Sequence, residues 1–115
     1  MKERIHKFRN DYNCIMHCRS MLLDKLDEMQ ERNVVSDSYE YITSALASLN
    51  NAKDCIVREF AYEVSGEFAN ETVGNYLTLT VSEPERIIIY GKNAQEFNTE
   101  LTVTPDGANC KVYTR

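Results

Sequence analysis

Residues 5–29 read I-H-K-F-R-N-D-Y-N-C-I-M-H-C-R-S-M-L-L-D-K-L-D-E-M. Within them Ile5, Phe8, Tyr12, Ile15, Arg19, Leu22, Leu26 and Met29 recur at alternating intervals of three and four. That spacing lays side chains along one stripe of an α-helix, and its seven-residue repeat makes the stripe a coiled-coil seam. Only Arg19 is polar. Neither Gly nor Pro interrupts the run, so the spacing predicts a helix from about residue 2 to 32, with Asn33 as its stop.

A second seam follows at once. Tyr39, Ile42, Leu46, Leu49, Lys53, Ile56 and Phe60 repeat the same intervals, again with one polar member, Lys53. Asp37 with Glu40 reads as a capping pair, Ser36 and Ser38 being the alternative caps. The helix is expected to end at Ser65, with Gly66 as the left-handed residue beyond it. Only residues 34–36 join the two helices, so they must fold back as an antiparallel hairpin. A turn near residue 35 sets Arg19 beside Ala52 and Lys53, two cations in one layer. They repel unless an anion joins them, from Asp54, Glu59, Asp24, a bound ion or another subunit. Otherwise both side chains snorkel to water, as long basic side chains routinely do.

After residue 66 the period changes. Leu77, Leu79 and Val81 alternate with threonines, Ile87–Tyr90 is a continuous apolar run, Leu101 and Val103 alternate with Glu100 and Thr102, and Cys110 and Val112 alternate with Lys111 and Tyr113. Glu83–Arg86 and Thr104–Gly107 are turns, the second strongly marked by Pro105 and Gly107. Residues 91–98 read as a loop or a short helical turn, and residues 66–74 as a connector, with or without an extra short strand. The Ile87–Tyr90 strand is expected to be covered on both faces. Beside the helical seams, Cys14, Cys18 and Met21 on one helix and Tyr41, Ala45, Ala52, Cys55 and Tyr62 on the other make a second apolar platform. The sheet is its natural cover, unless part of it is a subunit interface. The fold class is therefore α+β: one domain over residues 1–115, an N-terminal antiparallel helical hairpin (1–65) packed on a C-terminal antiparallel β-meander (66–115).

Cys14, His17 and Cys18 resemble zinc ligands. Paired zinc ligands usually sit on a tight turn, however, not at i and i+4 inside a long helix, and His17 sits on the outward side, away from Cys14 and Cys18. The expectation is that the cysteines pack as small hydrophobes. A cysteine enzyme needs a base beside its thiol, and His6 and His17 supply none. G-x-G-x-x-G, P-loop and H-E-x-x-H motifs are absent. The chain reads as non-enzymatic, without metal or cofactor. A net charge of −5 argues against general nucleic-acid binding. No apolar run approaches a membrane span, and the N-terminus lacks a signal-peptide core. The expected location is cytoplasmic, with all four cysteines reduced.

Binding chemistry gathers at the strand ends. Arg58, Arg86, Tyr90, Asn93 and Arg115 offer guanidinium forks, an amide and an aromatic face, the groups a nucleotide's phosphates and base require. The order of elements, helices over Lys2–Arg32 and Asp37–Ser65 and a sheet over Asn75–Arg115, resembles the anti-Thoeris sponge proteins of bacteriophages. The likeness is one of architecture, and the five site residues are read from their chemistry alone. The resemblance implies a homo-oligomer that sequesters a cyclic ADP-ribose-type signal, or a cyclic oligonucleotide, in the host cytoplasm without cleaving it. The alternative is an acidic protein-binding inhibitor of a host defence complex, comparable to anti-CRISPR proteins, working through Asp24, Asp27, Glu28, Glu31 and Glu40 at the hairpin tip.

Overall fold

Helices form where the two seams run: α1 spans Lys2–Glu31 and α2 spans Asp37–Ser65. The computed structural model describes residues 1–33, 36–66, 78–83, 85–92 and 95–113. Beyond α1, Asn33 takes the left-handed conformation (φ 55°) and its N–H donates to the Gln30 carbonyl at 3.1 Å. Ser36, not Asp37, is the N-cap of α2. Its extended backbone turns its carbonyl to the N–H groups of Tyr39 and Glu40. Asp37 and Glu40 fall in the first turn, where negative charge suits the helix dipole. Gly66 closes α2 at φ 72°, and its N–H donates to the Tyr62 carbonyl at 2.9 Å.

Four strands follow: β1 (Thr78–Glu83), β2 (Arg86–Lys92), β3 (Asn98–Thr104) and β4 (Gly107–Tyr113). They make one antiparallel sheet in sequence order. Strand β2 extends through Gly91 and Lys92, which the sequence reading had given to the loop. Within the expected connector over residues 66–74, everything after Gly66 lies outside the described residues, as do Val34, Val35 and Leu77. The β2–β3 register sets Ile87 against Val103 and Ile89 against Leu101. These four side chains join Ile5, Phe8, Val57, Phe60 and Ala61 in a single core. Ile88, on the other face of β2, is also buried, so Ile87–Ile89 is covered on both sides as the apolar run predicts, whereas Tyr90, the last residue of that run, is exposed.

The core lies at one end of the hairpin. A 30-residue helix is about 45 Å long, while a seven-residue strand spans only about 23 Å. The sheet therefore grips the start of α1 and the end of α2, and the helical arm runs on beyond it, within overall dimensions of 49 × 32 × 20 Å. Among the described residues of the arm only Met29 and Leu46 are buried, and Ile15, Leu22, Leu26, Ile42 and Leu49 stay half-buried.

Three expectations are corrected. First, the sheet covers the opposite side of the hairpin from the Cys14–Tyr62 platform. It packs on Val57 and Ala61, with Val64 partly buried against the same core, and the Arg9 Nη2 donates to the Arg86 carbonyl at 3.3 Å. Cys14, Cys18, Met21, Tyr41, Cys55 and Tyr62 are all exposed. Small and β-branched side chains let strands approach a helix closely, whereas a sheet laid over Tyr62 would have to accommodate its hydroxyl. Cys14, Cys18 and Cys55 are thus free thiols on the surface and not core residues.

Second, the hairpin register is shifted. Arg19 lies opposite Asn50 rather than Ala52 and Lys53, its Nε donating to Asn50 Oδ1 at 2.8 Å. Lys53 Nζ instead meets Asp54 Oδ1 at 3.5 Å, an ion pair too poorly aligned to hydrogen-bond that oxygen. The two cations are answered separately, one by an amide and one by a carboxylate. Tyr12 shares this neighbourhood. Burial raises its phenol pKa above the usual value of 10.0, the Arg19 charge opposes the rise, and the Asp54 charge adds to it.

Third, the alternation along β4 does not bury one of its faces. Cys110 and Val112 are exposed along with Lys111 and Tyr113, because β4 is the sheet's edge strand.

Candidate functional site: an aromatic cleft on the outer face of the sheet

Alternation along the strands puts Tyr90, Glu100 and Tyr113 on the face turned away from the helices, since Ile89 and Leu101 face the core. Register brings them together. Tyr90 pairs with Glu100, and Glu100 with Lys111. One row along, Lys92 pairs with Asn98, and Asn98 with Tyr113. Tyr90, Lys92, Asn98, Glu100 and Tyr113 line a cleft of 460 Å³, with Gly91 and Thr99 contributing to its wall. That volume falls in the range of small-molecule sites.

Tyr113 is held from two sides. Its hydroxyl donates to Glu100 Oε2 across the strand diagonal, and Lys111 Nζ stands 4.9 Å from its ring centroid. The hydrogen bond to Glu100 is the main reason its phenol pKa lies above 10.0, with desolvation and the nearby Glu100 and Tyr90 charges acting in the same direction. Both rings remain open to solvent, Tyr90 at 39% and Tyr113 at 43% exposure. Two half-exposed aromatic rings, a carboxylate and a lysine within one cleft can stack a planar group, accept its N–H donors and balance an anion. Among the described residues, the lining carries neither imidazole nor thiol.

Of the five residues singled out from sequence, Tyr90 lines this cleft. Arg86 shares its face but stands four residues back along β2, about 13 Å away at the usual strand rise, and is not part of the lining. Arg58 belongs to the helical layer on the other side of the sheet. Its Nε is buried and has no hydrogen-bond partner. Asn93 and Arg115 lie outside the described residues. Asn98, Glu100 and Tyr113 were missed. The signal for Tyr113 was present in the Pro105–Asp106 turn, which fixes the β3–β4 register. The signal for Glu100 was not, because its pairing with Tyr90 depends on how residues 93–97 turn.

No family model, curated protein or solved structure matches this chain. No helix among the described residues is long and apolar enough to cross a membrane, and no three metal-ligating side chains among them lie together.

Proposed function

We propose that this chain is a non-catalytic binding protein that sequesters a cyclic nucleotide in the Tyr90–Tyr113 cleft. The observation that carries the reading is the convergence of two open tyrosine rings with Glu100 and Lys92 on one sheet face. A nucleobase would stack on a ring and donate its N–H groups to Glu100, while Lys92 and Lys111 balance the phosphates. The architectural likeness to phage anti-Thoeris sponges supports a cyclic ADP-ribose-type ligand or a cyclic oligonucleotide, held in the cytoplasm of an infected host. Native mass spectrometry against cyclic ADP-ribose isomers and cyclic di- and trinucleotides tests it. The expected result is one defined ligand mass per site, with Tyr90→Ala and Tyr113→Ala each weakening binding roughly 5- to 150-fold, the worth of one stacked base. No uptake of any of these compounds would reject the reading.

A second reading is favoured by the acidic arm tip, where Asp24, Asp27, Glu28, Glu31 and Glu40 are all exposed. It makes the chain an inhibitor that docks on a basic protein surface. Reversing Asp24 and Asp27 to lysine would then abolish activity and leave the cleft's ligand binding untouched.

A further inference from the structure

The arm carries an apolar face that nothing among the described residues covers. Cys14, Cys18 and Met21 on α1 lie beside Tyr41 and Cys55 on α2, with Met21 58% and Tyr41 76% exposed. The sheet sits on the other side of the hairpin and does not obstruct this face. From Cys14 to Met21 on α1 and from Tyr41 to Cys55 on α2, the residues flanking the seams on this side are uncharged. Charges begin at both ends, with Arg4, Lys7, Asp11, Glu59 and Glu63 at the base and Lys25, Glu28 and Arg32 toward the tip. An uncharged centre inside a charged rim is the anatomy of a protein interface.

We propose that this face pairs with the same face of a second copy, the two arms antiparallel about a two-fold axis at Cys18. Size supports it. Two packed helices present a face about 20 Å wide, and overlap along most of a hairpin about 45 Å long covers roughly 800 Å² per partner, the standard scale for a stable interface. Charge supports the direction. With Cys18 on the axis, α1 stacks on its own copy so that Asp11 of each chain lies opposite Lys25 of the other, and Lys7 opposite Glu28. Cys14 meets Met21. The existing contact from Lys25 to Glu28 Oε2 is long, at 3.5 Å, so Lys25 can turn to Asp11 and Glu28 can offer that oxygen to Lys7 while its Oε1 keeps Arg32 at 3.2 Å. Arg4 and Arg32 also come opposite one another, but each is already answered within its chain, by Glu63 and Glu28. Parallel arms would instead bring two acidic tips together. A closed two-fold contact of this kind needs only one self-complementary patch. It would also cover seam residues that a lone hairpin leaves half-open. The inference stands apart from the ligand-binding reading, since the cleft lies on the other side of the sheet.

Sedimentation equilibrium of the full chain tests it. The expected species is a dimer of the 13.3 kDa chain. Met21→Glu should yield a monomer with unchanged helical circular dichroism, which separates a broken interface from a broken fold. Asp11→Lys should weaken the dimer, and adding Lys25→Asp should restore it. A bismaleimide of short span should link two copies through Cys18, and Cys18→Ser should abolish the link. A wild-type chain that stays monomeric, or a dimer indifferent to Met21→Glu, would overturn the proposal. Failure of the Asp11/Lys25 exchange to restore the dimer would overturn the antiparallel arrangement.

Discussion

The rings of Phe8 and Phe60 stack with centroids 4.3 Å apart and an interplanar angle of 14°. They come from opposite ends of the helical sequence, and both enter the core beneath Ile87, Ile89, Leu101 and Val103. This pair fastens the open end of the hairpin to the sheet. Each ring is 4% exposed, so truncation leaves a cavity as well as a lost transfer term. Phe8→Ala and Phe60→Ala should each cost about 3–5 kcal/mol, a large share of the stability of a domain this size. Urea unfolding monitored by circular dichroism measures it. A loss below about 1 kcal/mol would mean that the hairpin is not fastened here.

Gly66 ends α2 at φ 72° with open space where a Cβ would stand. A substitution there meets no clash, so its cost is that of the left-handed backbone alone. Gly66→Ala should destabilise by about 1 kcal/mol, and Gly66→Asn by less, since asparagine tolerates this region better. Equal losses for the two variants would show that something other than backbone conformation is at work.

Thr99 is 3% exposed and faces the core beside Leu101, and its Oγ1 has no hydrogen-bond partner. A buried hydroxyl without a partner carries its full desolvation cost. Thr99→Val keeps the shape and the β-branch while removing the oxygen. It should raise stability by about 1 kcal/mol, read from the shift in the urea midpoint at constant slope. A destabilised variant would place a partner, protein or water, on that hydroxyl.

The helices were legible in the sequence almost to the residue, because seam spacing, Asn33 and Gly66 are local signals that no tertiary contact overrides. The strands were legible for the same reason, through alternation and the Pro105–Gly107 turn. What could not be read was which side of the hairpin the sheet would choose. Val57, Ala61 and Val64 flank the α2 seam on one side and Cys55 and Tyr62 on the other, and both stripes look apolar in sequence. Nor did periodicity reveal that the strands are too short to cover the arm. Cys14, Cys18 and Met21 were expected to be buried because the sheet was expected on their side of the hairpin. The cleft was half legible. Tyr90 could be found from its chemistry, but Glu100 and Tyr113 join it only through strand register, a long-range property. Arg58 looked close to the strands in sequence and is separated from Tyr90 by the thickness of the sheet.

Tyr113 and Glu100 give the cleft a pH dependence whose direction follows from their hydrogen bond. The phenol donates, so the contact needs Tyr113 protonated, and its folded pKa lies above 10.0 with the Glu100 hydrogen bond as the leading cause. Whatever this bond contributes is therefore fully present below pH 10. It declines once the unfolded chain's tyrosine begins to ionise and is gone above the folded value. Ultraviolet titration of the phenols should show Tyr113 ionising later than a free tyrosine. Tyr12 also titrates late, for a different reason, so the comparison is best made in Tyr12→Phe. Glu100→Gln removes the charge that holds the proton and should bring Tyr113 back toward 10. Ligand binding should weaken over the same alkaline range, because a phenolate releases Glu100, frees its own ring and repels phosphate. If Tyr113 ionises no later than a free tyrosine in Tyr12→Phe, or if Glu100→Gln leaves its titration unmoved, the clamp on this ring is absent in solution.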